Sequence, residues 1–276
     1  MVRRAAILLL LAVVAPLLAR AGEFESNTVT DAEHRAAIAR MPKLAVVIDD
    51  LGQHSTLDAR VLALPGPVGM AILPDSRHAT TLAERASAAG KTVMLHLPMA
   101  PAGGPYAWHQ RLGQVELLSR LNQALAKVPN ASGVNNHMGS QMTDQRQSMG
   151  FLMSELQQRH LFFLDSRTNR ETVAAASAQA IGLASVSRDV FLDNDPSPDA
   201  VAAQFQAALR LARMQGSAII IGHPYASTLA LLEEQLPRLH AQGIDWIDLG
   251  QMIATRSNRA MAAHGADGIY RVSRQR

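Results

Sequence analysis

Eight strand candidates, most of them short apolar runs, recur between residues 44 and 247, with helix-like stretches filling the intervals. They are Leu44–Ile48, Val68–Leu73, Thr92–Leu95, Gly133–Asn135, Leu161–Leu164, Ala184–Ser187, Ala218–Ile221 and Ile244–Ile247. Runs of this length read as buried strands. Helical patterns lie at Leu57–Leu64, Ala79–Ala89, Val115–Lys127, Ser148–His160, Glu171–Ala180, Pro198–Gln215 and Ser227–Ala241. Gly90, Gly182, Gly216 and Gly243 fall where helix C-termini are expected. Alternating β and α implies a parallel sheet with crossover helices, either open or closed into a barrel. No G-x-G-x-x-G follows a strand, so the dinucleotide-binding version loses support. Seven or eight units in about 210 residues favour a closed or nearly closed (β/α) barrel.

The residues that follow the predicted strands carry the functional case. They are Asp49-Asp50, Asp75, His96, Asn136-His137, Asp165 and His223. In a parallel barrel the carboxyl ends of all strands open on one face, where such folds place their chemistry. Asp49 and Asp50 end a fully apolar run, and two adjacent like charges are costly to bury without compensation. Asp50 could cap the next helix, which leaves Asp49 unexplained. A metal ligand beside a general base explains both, because the cation lowers the cost of the second charge.

The other strand-end residues have plainer readings as well. His96 in "KTVMLHLPM" could be a core histidine bonded to a backbone carbonyl. In "GVNNHMGSQM" turn formation accounts for the glycines and asparagines but not for His137. His223 follows the apolar run "AIII", and Pro224 fixes the backbone after it. Asp165 could be catalytic, or could pair with Arg167 or Arg170. The remaining histidines sit in helical, loop or terminal contexts; among them His54, four residues after Asp50, is the next candidate. Two imidazoles and one carboxylate form a catalytic zinc set with an open position, and also suit other first-row divalent ions. Such an ion, a carboxylate base and a histidine acid across the site point to hydrolysis of an amide or ester.

The chain ends bear on location. Arg3-Arg4, an apolar stretch from Ala5 to about Leu18, and Ala19-Arg20-Ala21 have the layout of a secretory signal peptide over residues 1–21. The apolar stretch is short for a membrane span, so the processed protein is expected in the periplasm without stable membrane insertion; the alternative is an uncleaved membrane anchor, and both readings imply export. The formal charge of +3 includes three arginines and no acid within residues 1–21, so the processed chain is neutral. That gives no case for nucleic acid. The absence of cysteine excludes thiolate metal sites, thiol nucleophiles and disulfides. Residues 22–42 read as a linker or lead-in, 43–255 as the folded domain, and 256–276 as a disordered basic tail. Nothing in the sequence names a protein partner.

Taken together and in order, "VVIDDLG", "AILPDS", "MLHLPM", "GVNNHMGS", "FFLDSRT" and "IIIGHP" resemble the divergent polysaccharide deacetylases, a branch of the NodB-like carbohydrate esterase superfamily. The resemblance spans about residues 43–255 and implies an irregular (β/α)7-type barrel. It implies a base at Asp49, a metal-ligand carboxylate at Asp50 and a general acid at His223. The chain departs from the superfamily's H-x-x-x-H stretch, since His96 is followed four residues later by Ala100. The second metal histidine must then come from another strand, where His137 is best placed. Asn136 and Asp165 are expected to orient ligands or substrate. The R-x-P-Y motif is absent, and "GGPY" ending at Tyr106 and "GHPY" ending at Tyr225 are partial substitutes. The implied activity is removal of N-acetyl groups from an envelope glycan such as peptidoglycan, with a divalent metal such as zinc. The alternative is a non-catalytic carbohydrate-binding or regulatory protein of the envelope that retains the barrel.

Overall fold

The computed structural model describes Ile38 and residues 41–264. The predicted signal peptide lies outside the described residues, as does most of the predicted lead-in. The strands are β1 (Lys43–Leu51), β2 (Val68–Ile72), β3 (Thr92–Met99), β4 (Gly133–Met138), β5 (Phe162–Asp165), β6 (Ser185–Ser187), β7 (Val190–Phe191), β8 (Ser217–Gly222) and β9 (Asp245–Trp246). The helices are α1 (Ser55–Ala63), α2 (Ala79–Ala88), α3 (Gln114–Lys127), α4 (Arg146–Gln158), α5 (Ala174–Ala180), α6 (Pro198–Gln215), α7 (Ala226–Gln235) and α8 (Leu249–His264).

Every strand pairing is parallel, in the order β6-β5-β4-β3-β2-β1-β8-β7. Strands β6 and β7 are halves of one segment. The first half pairs with β5, and the second crosses to β8. At the crossing, Arg188 N–H donates to the Asp165 carbonyl and Asp189 N–H to that of Ile219. Counting this segment as one stave gives seven, the irregular (β/α)7 arrangement that the alternation and the resemblance implied.

Runs such as Leu44–Ile48 and Ala218–Ile221 are apolar throughout because both faces are covered. Leu44, Val46 and Ile48 pack under the outer helices, whereas Ala45 and Val47 point into the barrel. Inside they meet Ala71, Met94, Leu164, Val186, Ile219 and Ile221, and Ile247, Leu249 and Met252 close the floor. The four glycines predicted at helix ends all have φ between 71° and 77°, a conformation in which a side chain would be strained.

Four elements differ from the sequence expectation. Strand β7 was missed, being only two residues long. The predicted eighth strand is reduced to β9, which pairs with Lys43 and Leu44 below the point where β2 joins β1. Helix α7 stops at Gln235, and two short 3₁₀ turns continue to Gln242, since Pro237 cannot extend the helix. The expected disordered tail starts too early. Helix α8 runs on to His264, with Arg256 bonded to Asp189 and to Ser217 Oγ, and Arg259 to the Gln215 carbonyl.

Candidate active site

Strand parity delivers the side chains of the site. Ala45 and Val47 face inward, and the period of two carries Asp49 inward above them. By the same parity His96 follows Met94, and His223 follows Ile219 and Ile221. On β4, Val134 faces the helices, so Asn135 and His137 face the barrel.

Asp50 would by parity face outward. Instead its φ is +59°, and the β1–β2 register slips between Ile48 and Leu51. Three steps on β1 there span two on β2, so β1 carries a one-residue bulge. Aspartate tolerates the left-handed conformation better than most residues, and the bulge turns its carboxylate toward the barrel mouth. Asp50 is not a helix cap, because the cap of α1 is His54.

Asp50, His96 and His137 converge, with their ligand atoms all within 4.8 Å of one another. Asp50 Oδ1 lies 2.8 Å from His137 Nδ1 and 3.1 Å from His96 Nε2, and those two nitrogens are 3.2 Å apart. Asp50 Oδ1 is nevertheless a buried oxygen without a well-aligned hydrogen bond. Asn135 fixes the ring of His96, its Oδ1 lying 2.8 Å from Nδ1. With Nδ1 donating to that oxygen, Nε2 offers its lone pair to the cluster. One carboxylate oxygen and two imidazole nitrogens converging on one point suit a divalent first-row cation.

Asp49 is buried, with Oδ1 accepting from Asn135 Nδ2 at 2.8 Å and Oδ2 lying 3.7 Å from His96 Nε2. His223 stands across the cluster, its Nε2 3.7 Å from Asp50 Oδ2. Asp193 holds the other side of that ring, with Oδ1 2.9 Å from Nδ1 and Oδ2 accepting the His223 backbone N–H at 2.6 Å. Thr228 Oγ1 also donates to Asp193. The His223 ring lies 5.2 Å from that of Phe191 and 5.7 Å from that of Tyr225, and Arg188 covers the Phe191 ring.

These contacts set the charges of the chain's own groups. Burial pushes the Asp49 carboxyl up, against the lowering effect of His96, His223 and Asn135. Burial also works to raise Asp50, but His137 and His96 outweigh it and hold the carboxyl well below the usual range. Burial works to lower His96, yet Asp49 and Asp50 carry it to about 9. His223 is likewise raised, its burial outweighed by Asp193 and the Asp49 charge.

Two expected positioning residues are elsewhere. Asn136 is buried on the helix side of β4, accepting from Ser166 N–H and donating to the Met138 carbonyl. Asp165 is fully buried one residue beyond the inward-facing Leu164. It accepts from Arg167 N–H, Thr172 Oγ1 and Ala175 N–H, and forms no ion pair with Arg167 or Arg170 among the described residues. Neither reaches the cluster, because parity points both outward. Asn135 takes the place expected of Asn136. Asp193 was missed with β7, although "VFLD" ends an apolar run in aspartate as "VVID" and "FFLD" do. Tyr225 is half exposed beside His223, Tyr106 lines a hollow farther out, and His54 is exposed outside the cluster.

The profile of the divergent polysaccharide deacetylases matches residues 46–253. The chain belongs to this family. An uncharacterized protein of Haemophilus influenzae is 39% identical over 214 residues, covering 76% of each chain. An uncharacterized Agrobacterium tumefaciens protein shares the fold at TM-score 0.74 and 21% identity, over 77% of this chain and 89% of that one. The T48 deacetylase, solved with substrate, superposes at TM-score 0.51 and 13% identity, over 79% of this chain and 94% of that one. This member of the divergent polysaccharide deacetylase family therefore has the NodB-like barrel fold. Among its described residues no helix is long and apolar enough to cross a membrane.

Proposed function

We propose that this divergent polysaccharide deacetylase is a metal-dependent hydrolase that removes N-acetyl groups from a polysaccharide of the cell envelope. The observation that carries the reading is the convergence of Asp50, His96 and His137, flanked by Asp49 on one side and His223 on the other. Asp50, His96 and His137 would hold a divalent cation, zinc fitting the donor set. That ion would polarise the acetamide carbonyl and make water a stronger acid.

The remaining chemistry belongs to the chain. Asp49, its basicity raised by burial, accepts the proton of the attacking water. His223, kept protonated by Asp193, donates a proton to the departing sugar nitrogen. Asn135 keeps His96 and Asp49 in mutual orientation. A signal peptide over residues 1–21 would deliver the folded domain, residues 43–255, to the periplasm where such glycans lie. A mature terminus near Gly22 supports that route, and an intact Met1 on a membrane-bound form refutes it.

The test is acetate release from a panel of N-acetylated glycans by metal-loaded protein, beside Asp49→Asn. Release that the substitution abolishes supports the reading. Glycan binding without acetate release by the wild type would instead make this a non-catalytic carbohydrate-binding protein, consistent with its lack of the R-x-P-Y motif.

A further inference from the structure

Two polar hollows run outward from His137, walled by the same two loops. The inner one, about 220 Å³, is lined by Gln53, Asp75, Pro98, Gly103, His137 and Met138 among others. The outer one, about 260 Å³, is lined by Asp75, Arg77, Thr80, Thr81, Tyr106 and Lys127 among others. They meet at Asp75. The loop after β3 passes so close that a side chain at Gly104, where φ is +101°, would come within 3.1 Å of Asp75 Oδ2. Together the hollows reach the size of small-ligand clefts, which start at about 300 Å³.

The chemistry changes along this groove. Near the cluster the polar wall is a neutral amide and an imidazole, with the Asp75 carboxylate available to sugar hydroxyls. Farther out Tyr106, half-buried, offers a flat ring, and the exposed Arg77 and Lys127 bring two cations against the single carboxylate of Asp75. Neither cation forms an ion pair with a carboxylate among the described residues. A neutral sugar has no use for two unpaired cations, whereas an anionic substituent pairs with both.

We infer that this groove binds the sugar next to the one being deacetylated, and that Arg77 and Lys127 select a neighbour carrying a carboxylate. The inference rests on the glycan reading above and narrows its substrate class to acidic N-acetylated glycans.

Calorimetric titration of the zinc-loaded full chain tests it. The two probes are an N-acetylated oligosaccharide with a carboxylate on alternate sugars, and the same oligosaccharide with that group converted to an amide. The carboxylate form should bind about tenfold more tightly at low salt, a preference that shrinks as salt is raised. In the Arg77→Ala/Lys127→Ala variant the two probes should bind alike, whereas Arg77→Lys/Lys127→Arg should keep the preference. Equal binding of both probes by the wild type, or a preference that survives the alanine pair, overturns the subsite and leaves the deacetylase reading standing. Binding of neither probe defeats the glycan reading itself, and the subsite falls with it.

Discussion

Asp193 holds His223 at two points, with Oδ1 2.9 Å from the ring Nδ1 and Oδ2 accepting the backbone N–H at 2.6 Å. The ring is thereby aimed so that Nε2 faces the carboxylates, and its acid form persists above its ordinary titration. Asp193→Asn should lower kcat by about 10²-fold or more, the scale of general acid catalysis. The alkaline limb of kcat/KM should also move to lower pH, because the carboxylate that favoured the imidazolium is gone. An unmoved limb would mean that Asp193 serves packing alone.

The two carboxylates of the opening motif should separate by metal content. Asp50→Ala should lose the ion, whereas Asp49→Asn should retain it and lose turnover, because only the first supplies a donor atom at the point of convergence. Asn135→Ala should weaken binding about 10–100-fold through the freed ring of His96. Metal analysis after gel filtration reads all three. Equal loss in the Asp49 and Asp50 variants would make both carboxylates ligands.

Metal binding should release a proton at neutral pH. In the chain by itself His96 holds its proton up to about 9, and a coordinating imidazole must be neutral. Zinc titrations in buffers of different ionisation enthalpy should therefore report close to one proton displaced at pH 7. Apparent affinity should fall as the pH is lowered. Binding with no proton release would place the cation away from His96.

Asp58 supports the bulge from below. Its Oδ1 accepts the Gly52 N–H at 3.1 Å, two residues beyond Asp50, while His78 N–H donates to the Gly52 carbonyl. Asp58→Ala should cost about 1–3 kcal/mol of stability, as expected for a buried donor left unpaired, and should weaken metal binding by loosening the turn. Burial raises the Asp58 carboxyl above its unfolded value. Its contribution to stability is therefore complete at low pH and declines as the pH rises through the folded pKa. Asp58→Asn keeps an acceptor without the charge and should be at least as stable as wild type at neutral pH. Thermal unfolding at pH 5 and pH 8, with zinc titration, checks both claims.

The alternation of apolar runs and helical stretches was enough to specify parallel strands, outer helices and the face on which the chemistry sits. Strand parity, also written in the sequence, separates Asp49, His96, Asn135, His137 and His223 from the outward-facing Asn136 and Asp165. What parity cannot supply is which strands become neighbours across the barrel, since that depends on closure and packing of the whole chain. The departure from H-x-x-x-H already pointed to His137, but only the tertiary structure shows β4 carrying it to Asp50 at the bulge of β1, and only that structure brings Asp193 from a two-residue strand to His223. The left-handed turn at Asp50 lies equally beyond local reading. A bulge is decided by the register of two paired strands, and its cost is met by Asp58 and by the loops that grip Gly52.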